Sequence, residues 1–416
     1  MFSEKNIVNW QLWASAAYLA LLPSNAWTFA RSLSFGLAAT LAAVIVVAGW
    51  VGRGTRVPAP DRAVLAMLAL WCAWSVASLT WSLDVAYSSS QLKREIGWSL
   101  LAILAFYVAA ATAHAWRTLV GAALTAFAIY SAIAIGAVFA PGGWDPSRWH
   151  SGVGPYATHV VLVAPLLLTL LAPAPAGFGS RRRTIALGIV LLALLLVSAR
   201  LTDNRVVWIA LAVVFATASV LAAWRWHASL ARAPLRWLAP LFALMIVLGV
   251  VFADVTRERA QQDFPPQTSV AQTLSEDPRL VLWDRTAELV RQRPWIGYGF
   301  GRGVVADQLK GPLGNPMLWH AHNIFVAQVL QTGAIGLALF VGLLIALAAR
   351  FVSYFRQTDD ALAIAGVVGL SLLAGFIAKN MTDDFLFRSN AKEWWALLAI
   401  VMGFGARREA VPSTRV

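Results

Sequence analysis

The stretch HAHNIFVAQVLQTGAIGLALF, His320–Phe340, changes character within four residues. Two imidazoles and an amide come first; from Ile324 to residue 349 the chain is apolar apart from Gln328, Gln331 and Thr332. Such a run exceeds the roughly 20 residues that cross a hydrocarbon core. Asn323 precedes its first turn and is placed to cap it, because an asparagine oxygen accepts from the free amides of a helix start. Titratable groups therefore stand at the doorstep of a membrane helix.

Working outward, the whole chain repeats this apolar pattern. Hydrophobic residues make up 59% of the 416 and charged ones 13%, against roughly 45–50% apolar usage in soluble domains. The fold expected is an all-α polytopic membrane protein with about 12 transmembrane helices, near 10–29, 33–51, 63–81, 97–114, 117–140, 157–173, 184–199, 206–224, 237–253, 324–349, 361–379 and 394–406. The opening MFSEKNIVNWQLW lacks a clean basic start and a small-residue cleavage site, so it reads as a retained anchor. Three regions follow: 1–253 with nine helices, a polar loop 254–322, and 323–416 with three helices and a short tail.

Orientation follows from the short loops. Arg53, Arg56, Arg62, Arg117, Arg181–Arg183, Arg225, Arg232, Arg236, Arg350, Arg356, Arg407 and Arg408 all fall on the side of the N-terminus, which the positive-inside bias makes cytoplasmic. The opposite side, holding Lys93, Arg94, Arg148, Arg200, Arg205, the 254–322 loop and the 379–393 turn, is basic as well. With a net charge of +13, that excess points to an anionic partner at the outer face rather than to nucleic acid. The lone Cys72 lies in an apolar run and excludes an intrachain disulfide.

The 254–322 loop carries order signals. In PRLVLWDRTAELVRQRP the residues Leu280, Trp283, Ala287 and Val290 fall at helical intervals and Pro294 stops the helix. PWIGYGFGRG follows, with glycines at 297, 299, 301 and 303; it reads either as a flexible return to the membrane or as a nest of amides for an anion. Arg302 in that run is a substrate-binding candidate. Tryptophans such as Trp50, Trp144, Trp295 and Trp319 suit interfacial anchoring, and one or two suit sugar stacking.

At the outer ends of the spans, Arg200 and Arg205 in SARLTDNRVVWIAL are candidates for phosphate, since a guanidinium fork stays charged in a partly dry site. Arg279 opens the loop helix, with Trp283 one turn on to pin it. His322 is the candidate general base: a helix N-terminus and nearby arginines both favour its neutral form. His320, in an extended lead-in, would point elsewhere. The last outward turn adds Asp383, Asp384, Arg388 and Lys392; an aspartate there can orient an arginine or the histidine. No third ligand sits at metal spacing from the two histidines, and the chain holds no Asp-x-Asp pair, so no metal and no other cofactor is expected.

Two blocks together, DPRLVLWDRTAELVRQRPWIGYGFG and HAHNIFVAQVLQTGAIGLALF, resemble the hallmark region of the O-antigen ligases and related O-antigen polymerases of Gram-negative inner membranes. The resemblance implies a polytopic enzyme similar to lipid-linked GT-C-type glycosyltransferases. It implies metal-independent, inverting transfer of a glycan from undecaprenyl pyrophosphate to a sugar hydroxyl of lipid A-core at the periplasmic face. The family's essential histidine maps onto His322 and its two arginines onto Arg205 and Arg279, with Arg200, Arg302, Asp383, Asp384, Arg388 and His320 as further substrate contacts. The loop around Arg200 and Arg205 departs from the commoner Ser-Arg-Gly style, leaving the choice between those two open. A polymerase that extends the undecaprenyl-linked glycan is the alternative within the class. A transporter of an anionic lipid or sugar is the alternative outside it; the charges here gather at one face instead of near the midplane.

Overall fold

The computed structural model describes residues 4–112, 115–171, 180–227, 234–263, 278–313 and 318–410, and the backbone alone of 149, 234–242, 259–263, 278–279 and 311–313. Among the described residues every regular element is helical. In chain order these are α1 (Glu4–Leu21), α2 (Thr28–Trp50), α3 (Arg62–Ala77), α4 (Val85–Gln91), α5 (Trp98–Thr112), α6 (Trp116–Val138), α7 (Pro146–Trp149), α8 (Val153–Leu171), α9 (Arg181–Leu201), α10 (Arg205–Arg225), α11 (Pro234–Asp263), α12 (Pro278–Gln292), α13 (Ala306–Leu313), α14 (Ile324–Phe355), α15 (Asp360–Asn380) and α16 (Arg388–Ala410).

Nine segments among the described residues are long and apolar enough to cross a bilayer: α2, α3 with its 3-10 extension to Trp81, the α4–α5 run, α6, α8, α9, α10, α14 and α15. The chain is thus an all-α polytopic membrane protein. Three further long helices, α1, α11 and α16, overlap the remaining expected spans and carry charge toward their ends, as Glu4 and Lys5, Arg257 and Glu258, and Arg388, Lys392 and Glu393 do. The α16 helix forms the centre of the bundle. Trp394, Trp395 and the run Ala396–Gly403 are buried, and Gly403 lies so close to α5 that an added Cβ would stand 2.5 Å from the Tyr107 carbonyl oxygen. Small residues allow such close approach between helices in lipid.

One boundary differs from the hydropathy reading. The span expected at 97–114 starts much earlier, at Val85, because the Asp84 carboxylate accepts from the Tyr87 amide at 2.8 Å and caps a helix there. Lys93, Arg94 and Glu95 therefore ride on a helix, in a π turn at Leu92–Gly97, instead of lying in an outer loop. A π turn inside an α-helix frequently marks a functional position.

The two hallmark blocks interlock. The α14 helix breaks at Gly333, whose φ of 70° and ψ of −174° are not helical, and Trp295 and Ile296 fill the notch. The Ala334 amide, freed by the break, donates to the Pro294 carbonyl at 2.8 Å. Two further bonds run the other way, from Tyr298 N to Leu330 O at 2.8 Å and from Gly299 N to Gln331 O at 2.9 Å. From α3, the indoles of Trp74 and Trp81 donate to the carbonyls of Thr332 and Ile296, each at 2.8 Å. A Cβ at Gly333 would lie 2.1 Å from the Trp295 carbonyl atoms, and one at Gly297 would lie 2.6 Å from the Leu330 oxygen. Only glycine fits either position, on both conformational and steric grounds.

Replacing Gly333 with alanine should destabilise the protein by about 2–5 kcal/mol, from a left-handed non-glycine residue and overpacking together. In a detergent melting assay the variant should lose monodisperse protein well below the wild-type midpoint. Gly36→Ala in α2, where an added Cβ meets nothing within 4 Å, should melt at or above the wild-type midpoint.

Candidate functional site

The site assembles where α14 begins. Asn323 caps that helix as expected, its Oδ1 accepting from the Phe325 and Val326 amides at 2.9 and 3.1 Å. Its Nδ2 donates in turn to the Met381 carbonyl at 2.9 Å. One amide side chain thereby starts the helix and draws the α15–α16 connection across its end. That connection is itself fixed: Asn380 Oδ1 accepts from the Phe385 amide at 2.6 Å, and the Phe385 ring packs onto Gly154 of α8.

His322 takes a left-handed backbone, φ 49°, a conformation that costs a non-glycine residue about 1–3 kcal/mol. Its amide donates to His320 Nδ1 at 3.2 Å, and the Trp283 indole donates to the intervening Ala321 carbonyl at 3.0 Å. The turn overturns the expectation that the two imidazoles diverge: their rings stack, centroids 3.8 Å apart and 25° between planes. Asp383 faces the pair from the α15–α16 connection, its Oδ1 3.7 Å from His322 Nδ1.

Behind His320 sits Arg302. Its Nη2 meets His320 Nε2, and its guanidinium lies between the Trp319 and Phe387 rings, 4.8 and 4.1 Å from their centroids. Arg302 is 9% exposed, and its Nε and Nη1 have no hydrogen-bond partner among the described residues. It lines a small cavity with Glu95, Asp384, Gln328, Gln331, Trp71 and Trp395. A buried guanidinium needs counter-charge, and Asp384 is the acid of this cavity placed to provide it. Asp384, a candidate substrate contact from the sequence, is buried and lines the cavity with Arg302. Glu95 was missed altogether, although an acid at the mouth of an apolar span was the available signal. Arg388 is exposed at the rim beside Phe387.

The glycine run does not form an anion nest, and it is no loose return loop. The Phe300 amide donates to Ser78 Oγ at 3.1 Å, that of Gly301 to Gln331 Oε1 at 2.9 Å, and that of Gly303 to the Tyr87 hydroxyl at 2.9 Å. These donors are consumed within the protein. The helix before the run buries Leu282, Thr286 and Leu289, with Trp283 and Val290 packed against the same cluster and Leu280 exposed; Tyr298 folds back to donate to the Leu289 carbonyl at 2.8 Å.

The arginines separate. Arg200, a phosphate candidate, pairs with Glu258 at 2.7 Å on an exposed surface. Arg205 follows the Asn204 cap of α10. Its helix runs antiparallel to α15, with Arg225 bonded to Asp360 at 3.3 Å and Val214 against Gly375. This register brings the start of α10 level with residues 380–384 of the α15–α16 connection. Of Arg279 only the backbone, in the first turn of α12, is described; its side chain lies outside the described residues.

A third metal-type ligand exists after all. His320, His322 and Asp383 present ligand atoms within 4.8 Å of one another, a grouping that linear spacing concealed because Asp383 arrives from another helix connection. Yet both ring nitrogens of His320 already have a neighbour, the His322 amide at Nδ1 and the Arg302 guanidinium at Nε2. Coordination would cost one of those contacts and set a dication beside a buried cation. The donor set fits a metal poorly.

A second polar cluster went unnoticed in the sequence. His159 Nδ1 of α8 lies 2.6 Å from Glu393 Oε1 of α16, both buried, with His150 and Tyr156 packed against the His159 ring.

A family model described as O-antigen ligase matches residues 176–341. The match over this segment supports the O-antigen ligase superfamily. The matched segment runs from before α9 through the kink of α14, so it contains Arg200, Arg205, α12, the glycine run, His320 and His322. Asp383, Asp384 and Glu95 lie outside it. The superfamily carries a ligase- or polymerase-type glycan transfer in lipopolysaccharide biosynthesis, in keeping with a multi-pass protein of a bacterial inner membrane. No curated protein matches the chain.

Burial pushes the Asp384 carboxyl from 3.8 up to about 6, Arg302 opposing and Asp383 adding to the rise. The folded chain then keeps a proton that the unfolded chain has lost, so stability falls as pH rises from about 4 to about 6 and levels above that. Asp384→Asn should flatten that part of the melting-temperature profile. An unchanged slope would contradict the assignment.

Proposed function

We propose that the protein is an O-antigen ligase. It transfers a glycan from undecaprenyl pyrophosphate to a sugar hydroxyl of lipid A-core, at the periplasmic face of the inner membrane. The observation that carries this reading is His322 in a left-handed turn at a capped helix start, with a carboxylate 3.7 Å from its Nδ1, inside a segment matched by the O-antigen ligase family. A carboxylate closing on Nδ1 from that position would hold a proton there and leave Nε2 to accept one.

The acceptor hydroxyl attacks the anomeric carbon and its proton passes to His322 Nε2. The bond from that carbon to the pyrophosphate oxygen breaks as the new glycosidic bond forms, with inversion. Arg205 at the start of α10 and Arg279 at the start of α12 neutralise the departing pyrophosphate; fixed cations aimed at a developing anion usually supply the greater part of the acceleration in such a site. Arg200 is held by Glu258 and serves at the rim. Arg302 and His320 support His322 from behind, and Asp383 orients it. Pyrophosphate is a competent leaving group, so the reaction requires no metal. The charged groups gather at one end of the bundle, which favours surface chemistry over transport through the midplane.

Purified protein given undecaprenyl-pyrophosphate glycan and lipid A-core in the presence of a chelator should glycosylate the lipid A-core. His322→Ala should lower turnover by about 10²–10⁴-fold while still binding the donor. Growth of the carrier-linked glycan alone would mean a polymerase, flux across vesicles without product would mean a transporter, and native-rate transfer by His322→Ala would remove the base assignment.

A further inference from the structure

A groove of about 740 Å³ runs between α1 and α6, within the range of roughly 300–1,000 Å³ usual for ligand sites. Its floor is small and apolar: Ala16 and Ala20 on one helix, Gly121, Ala122 and Ala126 on the other. The lining extends along α6 from Arg117 to Ile133, roughly 24 Å at 1.5 Å per residue. One leaflet of hydrocarbon is about 15 Å deep. An acyl chain confined to its own leaflet would leave the far part of the groove unfilled.

The mouth at Ser24 and Tyr130 is polar and cationic. Arg31, fixed by Nη1 to the carbonyls of Leu22 and Ser24 at 3.2 and 2.9 Å, stands within electrostatic reach of Tyr130, His150 and Lys392. This mouth opens at the same end of the bundle as His322. Asn25 donates to the His150 carbonyl at 2.5 Å, His150 packs on His159, and His159 pairs with Glu393, which follows Asp383 and Asp384 into α16. An anionic headgroup at Arg31 with a chain too long for one leaflet describes an isoprenoid diphosphate.

Resting on the transferase reading above, we infer that the α1–α6 groove holds the isoprenoid chain of the lipid-linked donor. Gly121 offers a clean test, because an added Cβ there meets nothing within 4 Å; Gly121→Leu fills the groove without disturbing the bundle. Thr125→Leu, exposed on the same lining, is the second variant.

The experiment compares one glycan carried on undecaprenyl pyrophosphate and on a ten-carbon isoprenoid pyrophosphate, using full-length protein. Either variant should raise KM for the long-chain donor about tenfold or more and leave that for the short-chain donor at the wild-type value. Unchanged KM for both, or an equal loss on both, overturns the inference. If the wild type transfers from neither donor, the transferase reading fails by itself, and native mass spectrometry then decides the groove. Undecaprenyl pyrophosphate retained by the wild type and lost from Gly121→Leu supports it. Ordinary phospholipid in its place, or a wild-type dimer that Gly121→Leu converts to monomer, overturns it.

Discussion

The contact on which the structure depends is the seating of Trp295–Ile296 in the notch that Gly333 opens in α14. A membrane helix can break only where its freed backbone groups find other partners. Here they find them in a second strand of chain: Ala334 donates to Pro294, while the strap returns bonds from Tyr298 and Gly299 to Leu330 and Gln331. Loop and helix become one rigid unit. The strap is locked on its other side by Trp81, Ser78 and Tyr87, so three elements far apart in sequence share one backbone network. Arg302, Trp319 and the histidine turn are built on top of it.

On that base sits a chain of contacts leading from the interior to the surface. Burying a guanidinium is costly unless charge and geometry compensate. Arg302 shares a small cavity with Asp384 and has the Trp319 and Phe387 rings beside it, which favours a cation. Its remaining contact fixes His320, and His320 is the surface against which His322 stacks. The strained turn at His322 persists because Asn323, Trp283 and His320 all constrain it. Strain held in this way at a polar cluster is a mark of pre-organisation.

Legibility from sequence followed the range of the interactions. Apolar runs, the helix ended by Pro294 and the Asn323 cap depend on neighbours a few residues apart, and all three could be read directly. Asp383 was nominated only as one of several polar residues in a turn, since its position against His322 depends on Asn323 reaching Met381, 58 residues away. The glycine run was misread because its composition suits a loose loop equally well; its order comes from partners at Ser78, Tyr87 and Gln331. Glu95 escaped because its span was started too late. Arg200 and Arg205 look equivalent in sequence, and the pairing of Arg200 with Glu258 on α11 depends on a helix 58 residues away.

The central claim is that the strap and the broken helix form a single hydrogen-bonded body. Amide hydrogen exchange of the purified protein in lipid nanodiscs, followed on peptides covering 297–303, tests it most directly. The account predicts that the amides of Tyr298, Gly299, Phe300 and Gly301 exchange as slowly as those in the buried middle of α15. Exchange at the rate of an open loop, with α15 still protected, would contradict it.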